Sequence, residues 1–416
     1  MRITDLPEFR VFWAAQGASM LGTAVSRSAL PLLAASALSA SAFQMGLLQA
    51  SLTVAFLVFG LPAGMWIDRM RRRPVMLVCD IARSLIMVTL AVITLLGKLD
   101  MTLLIVGGLL LGVGRTFYEI AYQSYIPLLV GRARLVEGNS KLESTTSASQ
   151  MAGPAVAGGL VQLGGAAAVA VQAVSYLFSA LLLLRIRKKE TVPERLPNAG
   201  GTWPQIRSGL AFVLGDPMVR AVTASAATYN FFYAMQTPLV VLLLVNEVGL
   251  RESAAGALMT VSGFGGLFGA VTAQWVARRV GQVRVIWLAY LVAIPTVVLI
   301  PLAGPGWRLG LFLVPWFVSA YGLVVYNVSA VSFRQAMCPD HLLGRMNASV
   351  RFVIWGIIPL GGVVGGSLGT WLGVRGALLV AGVGMAAGVL WLLCSRLRSL
   401  RDMPAPTEPM LSAGRV

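Results

Sequence analysis

Arg115 and Glu119 stand one helical turn apart inside a long apolar run, roughly residues 101–129. A carboxylate four residues after a guanidinium shares its helix face, so the two side chains can meet. Charges that deep in an apolar run are costly in a membrane and mark functional positions. Three chemistries are open to the pair. Glu119 can take up and release a proton, tuned by Arg115 or by Arg27, which reaches a similar depth in the first apolar run. A spare guanidinium, with its planar fork, can hold an anionic group of a ligand. The plain alternative is a buried ion pair that ties two helices together. Two arginines and one carboxylate leave the region formally one positive charge in excess. Proton carriage by Glu119 requires its arginine contact to break in one state of a working cycle. The other acids fall in loops, tails or helix ends, or lie near one membrane surface, as do Asp68, Asp80 and Glu143. Glu119 is therefore expected to be the one carboxylate at depth. Asp80 and Arg83 read as a local structural pair, and the lone histidine, His341, falls in a loop unsuited to proton relay.

The elements that position these residues are membrane helices. The chain is 416 residues long, 57% hydrophobic and only 12% charged, about half the charge of a soluble domain. Apolar runs of roughly 20 residues recur along its length, each enough to cross about 30 Å of hydrocarbon. Their spacing predicts an all-α membrane protein of twelve transmembrane helices: 10–37, 43–67, 74–96, 101–129, 140–163 and 166–185, then 215–245, 253–277, 283–303, 308–333, 345–371 and 375–395. The polar stretch from Arg185 to Arg207, with Pro193, Pro197 and Gly200-Gly201, divides two halves. The expected organisation is a six-helix bundle over 1–190, a cytoplasmic linker over 191–207, a second bundle over 208–397 and a disordered tail over 398–416. Helix 1 is too long for a cleavable leader and is expected to act as its own insertion signal.

Charge sets the expected orientation. Lys98, Arg251, Arg308 and Arg375 are the basic residues of one side, and Arg27, Arg83, Arg115, Arg220 and Arg351 lie within helices. The remaining Lys and Arg crowd the other side, which makes both termini cytoplasmic. The net charge of +17 thus belongs to short loops, and nucleic-acid binding is not expected. Cys79, Cys338 and Cys394 fall near cytoplasmic helix ends, an odd set expected to stay reduced. No phosphate-cradling loop, metal-ligand spacing or Ser/His/Asp arrangement is present, so neither an enzyme nor a cofactor or metal site is expected.

The connection between helices 2 and 3 reads Gly64-Met65-Trp66-Ile67-Asp68-Arg69-Met70-Arg71-Arg72-Arg73-Pro74. This G-x-x-x-D-R-x-x-R-R spacing resembles the loop 2–3 signature of the major facilitator superfamily. The second half echoes it weakly with Arg278-Arg279-Val280-Gly281-Gln282-Val283-Arg284, as an internal repeat would. Phe59-Gly60-Leu61-Pro62-Ala63-Gly64, Ala121-Tyr122-Gln123-Ser124-Tyr125-Ile126-Pro127 and Glu137-Gly138-Asn139-Ser140 are similar to the drug–proton antiporter branch that holds macrolide-efflux and enterobactin-exporter-like proteins. Gly153-Pro154-Ala155-Val156-Ala157-Gly158 resembles that branch's helix 5 antiporter motif, G-P-x-x-G-G, with Ala157 in place of a glycine.

The resemblance implies the major facilitator fold, two pseudo-symmetric six-helix bundles working by alternating access about a midplane site. It implies a conformational latch of Gly64, Asp68, Arg69, Arg72 and Arg73, in which Asp68 caps helix 11 near Arg345 to Asn347 in the outward-facing state. Gly153, Pro154 and Gly158 are expected on a gating surface. In the family, helices 1, 4, 7 and 10 line the cavity. Tyr122, Tyr229, Asn230, Tyr233, Gln236, Tyr326 and Asn327, with Gln16 and Gln49, then become substrate-binding candidates, because aromatic area with polar handles suits a bulky amphipathic ligand. The expected function is proton-coupled efflux of an amphipathic drug, siderophore or other secondary metabolite across a bacterial inner or plasma membrane. The expected partners are a small-molecule substrate, protons and membrane lipids, around a monomer. Uptake or facilitated diffusion of a small solute, lipid flipping, and ligand sensing without flux are the rival readings.

Overall fold

A computed structural model describes residues 6–68, 70–131, 135–186, 190, 202–339 and 342–402. The described chain is helical throughout. The first half comprises α1 (Pro7–Ser36), α2 (Ala42–Asp68), α3 (Arg72–Leu95), α4 (Met101–Val130), α5 (Leu135–Leu163) and α6 (Gly165–Arg185). A shorter helix, α7 (Thr202–Gly215), leads into the second half: α8 (Pro217–Leu242), α9 (Glu252–Val280), α10 (Arg284–Ala293), α11 (Gly310–Met337), α12 (Leu343–Gly356), α13 (Ile358–Ala387) and α14 (Val389–Leu393).

Local chemistry sets the ends. Asp100 caps α4 by accepting from the Leu103 amide at 2.7 Å. Asp216 caps α8 by accepting from the Met218 and Val219 amides, with Pro217 in the first helical position. Pro295 and Pro301 lack the donors a regular α-helix uses, and the chain beyond α10 runs as a 3-10 helix over Ile294–Leu302. Gly373, at φ 74°, breaks α13 into two rods.

Among the described residues, nine helical segments are long and apolar enough to cross a membrane. The segment Arg345–Leu393 is one of them at 49 residues, far more than one crossing needs. α1 and α5 have the length but are more polar, α1 through Arg10, Gln16 and Arg27 and α5 through Lys141, Glu143 and Gln150. α7 begins inside the stretch read as linker, packing against α12 with Gly209 set on the backbone of Arg345. Residues 398–402 do not trail away: the Arg401 carbonyl accepts from the Val283 amide at 3.0 Å, and Asp402 accepts from the Gln282 amide. Residues 403–416 and most of the linker, 191–201, lie outside the described residues.

Within the first half, α1 packs on α5 and α6, α4 on α2 and α3, and α3 on α6. The second half pairs α8 with α13, and α11 with α9 and α10. The halves meet along two seams, α2 against α13 and α5 against α9. Both seams close tightly at the face opposite the start of α1. There Gly46 lies on the Gly362 carbonyl and Gly366, and Gly158 lies on the Glu252 carbonyl and against Gly256. A side chain at either glycine would strike backbone, and it is this smallness that lets the helices approach so closely. On that same face Arg375 pairs with Glu247 at 2.6 Å and donates to the Pro301 and Ala303 carbonyls, tying three connections together.

Candidate functional site

Toward the face that bears the start of α1, exposed polar side chains of α4 and α12 meet across a cleft between the halves. Arg115, Glu119 and Gln123 recur every four residues and form one stripe on α4. The Arg115 Nε lies 3.8 Å from Glu119 Oε2, with side chains 45% and 30% exposed. Arg351 of α12 reaches across and donates to Gln123 Oε1 at 2.9 Å. Its guanidinium also sits 5.3 Å from the ring centre of Trp355, which packs on Phe56 of α2 at 5.1 Å. Arg27 is exposed. It lies three turns beyond Gln16 on α1 and is not joined to Arg115 or Glu119. Among the described residues Arg27 and Arg351 form no ion pair. Tyr122 stacks on Phe12 and lies near both Glu119 and Glu143.

Among the described residues the most enclosed carboxylate is Asp80. Its side chain is 0% exposed and that of Arg83 is 2% exposed. Asp80 accepts from Arg83 and from the Ser179 hydroxyl at 2.7 Å. The Arg83 guanidinium lies between the rings of Tyr118 and Tyr176, 4.3 and 4.2 Å from their centres. Stacking on two π faces offsets part of the cost of burying the cation. Gln16 and Gln172 donate to the hydroxyls of Tyr118 and Tyr176. One polar network thus joins α1, α3, α4 and α6, and Gln16 belongs to it rather than to the cleft wall.

Several expected ligand-binding residues serve packing. Tyr326 is buried, shares a hydrogen bond with Ser225 and donates to the Val222 carbonyl. Tyr229 is buried between Tyr233 and Tyr290. Asn230 donates to the Ala226 carbonyl of its own helix. Tyr233 is half-buried and Asn327 exposed. Gln236 is buried, with no partner for Nε2 among the described residues. Gln49 lies in the α2–α13 seam beside Gly362.

Of the expected latch, the side chains of Gly64 and Asp68 and all of Arg69 lie outside the described residues, as does His341. Arg72 is half-buried, its Nε without a partner among the described residues. Arg73 holds the end of α6: its side chain donates to the Leu183 and Leu184 carbonyls at 2.8 Å, and its amide to Glu190. A cation is favourable at that helix terminus. Of the helix 5 motif, Gly153 packs against Ala24 of α1 within the first half, while the Pro154 carbonyl and Gly158 meet Gly256 in the α5–α9 seam.

Residues 5–412 match the family described as "Transmembrane secretion effector", within the major facilitator superfamily. The chain belongs to that family. The MFS-type transporter YfiS of Bacillus subtilis is 26% identical over 389 residues, covering 89% of this chain and 88% of that one. The multidrug efflux pump Tap of Mycolicibacterium fortuitum is 25% identical over 363 residues, covering 84% and 86%. The fold is shared with the nucleoside transporter NupG (TM-score 0.75, 13% identity, 93% and 98% covered). It is also shared with a bacterial homologue of ferroportin in an inward-facing state (TM-score 0.71, 17% identity, 92% and 99% covered). This secretion effector is thus a multi-pass transporter of the bacterial cell membrane.

Sequence reasoning passed over Arg351, Gln123, Trp355 and Phe56. A signal was present: Arg351 is a cation inside an apolar run, and Gln123 continues the Arg115–Glu119 stripe by one turn.

Proposed function

We propose that the chain is a secondary exporter of bulky amphipathic compounds, driven by protons through Glu119. The Arg115–Glu119 pair carries this reading. It joins a carboxylate to a cation inside an apolar helix, yet its separation and exposure leave it free to break and exchange a proton with water. An enclosed pair such as Asp80–Arg83 offers no such route. The resemblance to Tap, named as a multidrug efflux pump, supports export.

In this reading the chain crosses the membrane twelve times. The nine apolar segments are joined by α1 and α5, and Arg345–Leu393 crosses twice by turning at Gly373. Both termini are cytoplasmic, the first bundle spans 1–190 and the second 208–397, and the arrangement described is inward-facing. Asp68, with Gly64 and Arg69, latches the outward-facing state. The protein works as a monomer within its lipids.

The test is dye accumulation in cells stripped of their own efflux pumps. Expression of the protein should lower accumulation of an amphipathic dye, and a protonophore should abolish the effect. Accumulation unchanged by expression across a dye, macrolide and siderophore panel would contradict export.

A further inference from the structure

The cleft holds more positive charge than its own carboxylates balance. Arg115 and Arg351 both reach the α4 stripe, against the single carboxylate of Glu119, so the formal excess there is one cation. Of these two arginines, Arg351 has the weaker partners. Its acceptor is the neutral amide of Gln123, and its other neighbour is the face of Trp355. Both Arg351 and Gln123 are exposed.

An isolated guanidinium within an apolar helix is expensive, and such residues pair with an opposite charge when one is at hand. A charged acceptor binds a guanidinium about twice as strongly as a neutral one, through two parallel N–H···O bonds. The apolar body of a ligand anchored there would meet Phe56 and Trp355, which pack together beside the guanidinium.

We propose that the cleft selects amphipathic anions, with the acid group of the ligand held by Arg351 in place of Gln123 and its apolar body lying on Phe56 and Trp355. This rests on the transport reading above and names the substrate class of the same site. It is compatible with proton exchange. A monoanion balances the two arginines with Glu119 still ionised, as exchange of substrate for proton requires.

The experiment is equilibrium binding of three fluorescent probes that share one apolar body: pyrenebutyrate, pyrenebutanol and pyrenebutylamine. The full-length protein is held in phosphatidylcholine nanodiscs, and signal from empty discs is subtracted. Pyrenebutyrate should bind about tenfold more tightly than pyrenebutanol, and pyrenebutylamine more weakly than either. Arg351→Gln should erase the preference for the anion while leaving pyrenebutanol binding within about twofold. Gln123→Ala removes the competing acceptor without touching the cation and should strengthen pyrenebutyrate alone. This second variant keeps the test decisive if Arg351→Gln fails to fold. Equal affinity for all three probes, preference for the amine, or an anion preference that survives Arg351→Gln would overturn the proposal.

Discs containing phosphatidylglycerol separate two sources of the same chemistry. Loss of pyrenebutyrate affinity there assigns the site to an anionic lipid, and retention assigns it to a soluble amphiphile. No gradient is applied, so failure of proton-driven flux leaves this result standing. Flux that ignores substrate charge would contradict only the present proposal.

Discussion

Asp80 and Arg83, one turn apart on α3, form an ion pair closed off from solvent on all sides. Two further groups complete it: the Ser179 hydroxyl on the carboxylate, and the rings of Tyr118 and Tyr176 on the guanidinium. Four helices of the first half meet at this point, one residue from Glu119 on α4. The pair fixes the frame against which the open Arg115–Glu119 pair can move.

Removal of one partner should therefore cost far more than removal of both. Asp80→Ala or Arg83→Ala alone leaves an uncompensated buried charge, worth about 3–5 kcal/mol. The double variant Asp80→Leu/Arg83→Leu should recover much of that loss. Thermal unfolding of the purified protein, read by size-exclusion chromatography, measures the cycle. Additive losses would show that the two residues act independently.

Arg73→Ala should destabilise the protein by about 1–3 kcal/mol, the cost of leaving the carbonyls at the end of α6 without their donor. Arg71, exposed on the same loop, serves as the comparison, and Arg71→Ala should change stability by under about 0.5 kcal/mol. Equal effects at the two positions in the same unfolding assay would mean that Arg73 acts through charge alone.

Gly158→Leu should hold the α5–α9 seam open, because any side chain there meets the Glu252 carbonyl. Single cysteines at Pro154 and Ser253, labelled with a water-soluble maleimide from the face opposite the start of α1, report the change. Labelling should rise several-fold in the variant. Unchanged labelling would place the tight contact elsewhere.

Much of the fold was legible because a span must be long and apolar, and such runs are visible without knowing their neighbours. The breaks were harder to see. Gly373 looks like many other glycines until its positive φ is known, and α7 hides in a polar stretch too short to cross a membrane. The Arg115–Glu119 pair could be read from helical spacing alone. The enclosure of Asp80 could not, because counting residues from a helix end gives position along the axis and says nothing of what surrounds it. Ser179, which closes that site, lies 99 residues away, and Arg351 meets Gln123 across 228. The hydroxyls of Tyr229 and Tyr326 suggested ligand contacts, and only the fold shows that both rings are also buried in the second half.

The most direct test of proton-driven export is transport by the purified protein in liposomes under an imposed pH gradient, wild type against Glu119→Gln. Fluxes of dyes, macrolides and catecholate siderophores are followed alongside lumenal pH. The account predicts substrate movement that stops when the gradient is collapsed and is absent in the variant, whose unfolding temperature matches wild type. Substrate movement that persists without the gradient, at the same rate in Glu119→Gln, would contradict it and leave a facilitator in which Arg115–Glu119 is a structural tie.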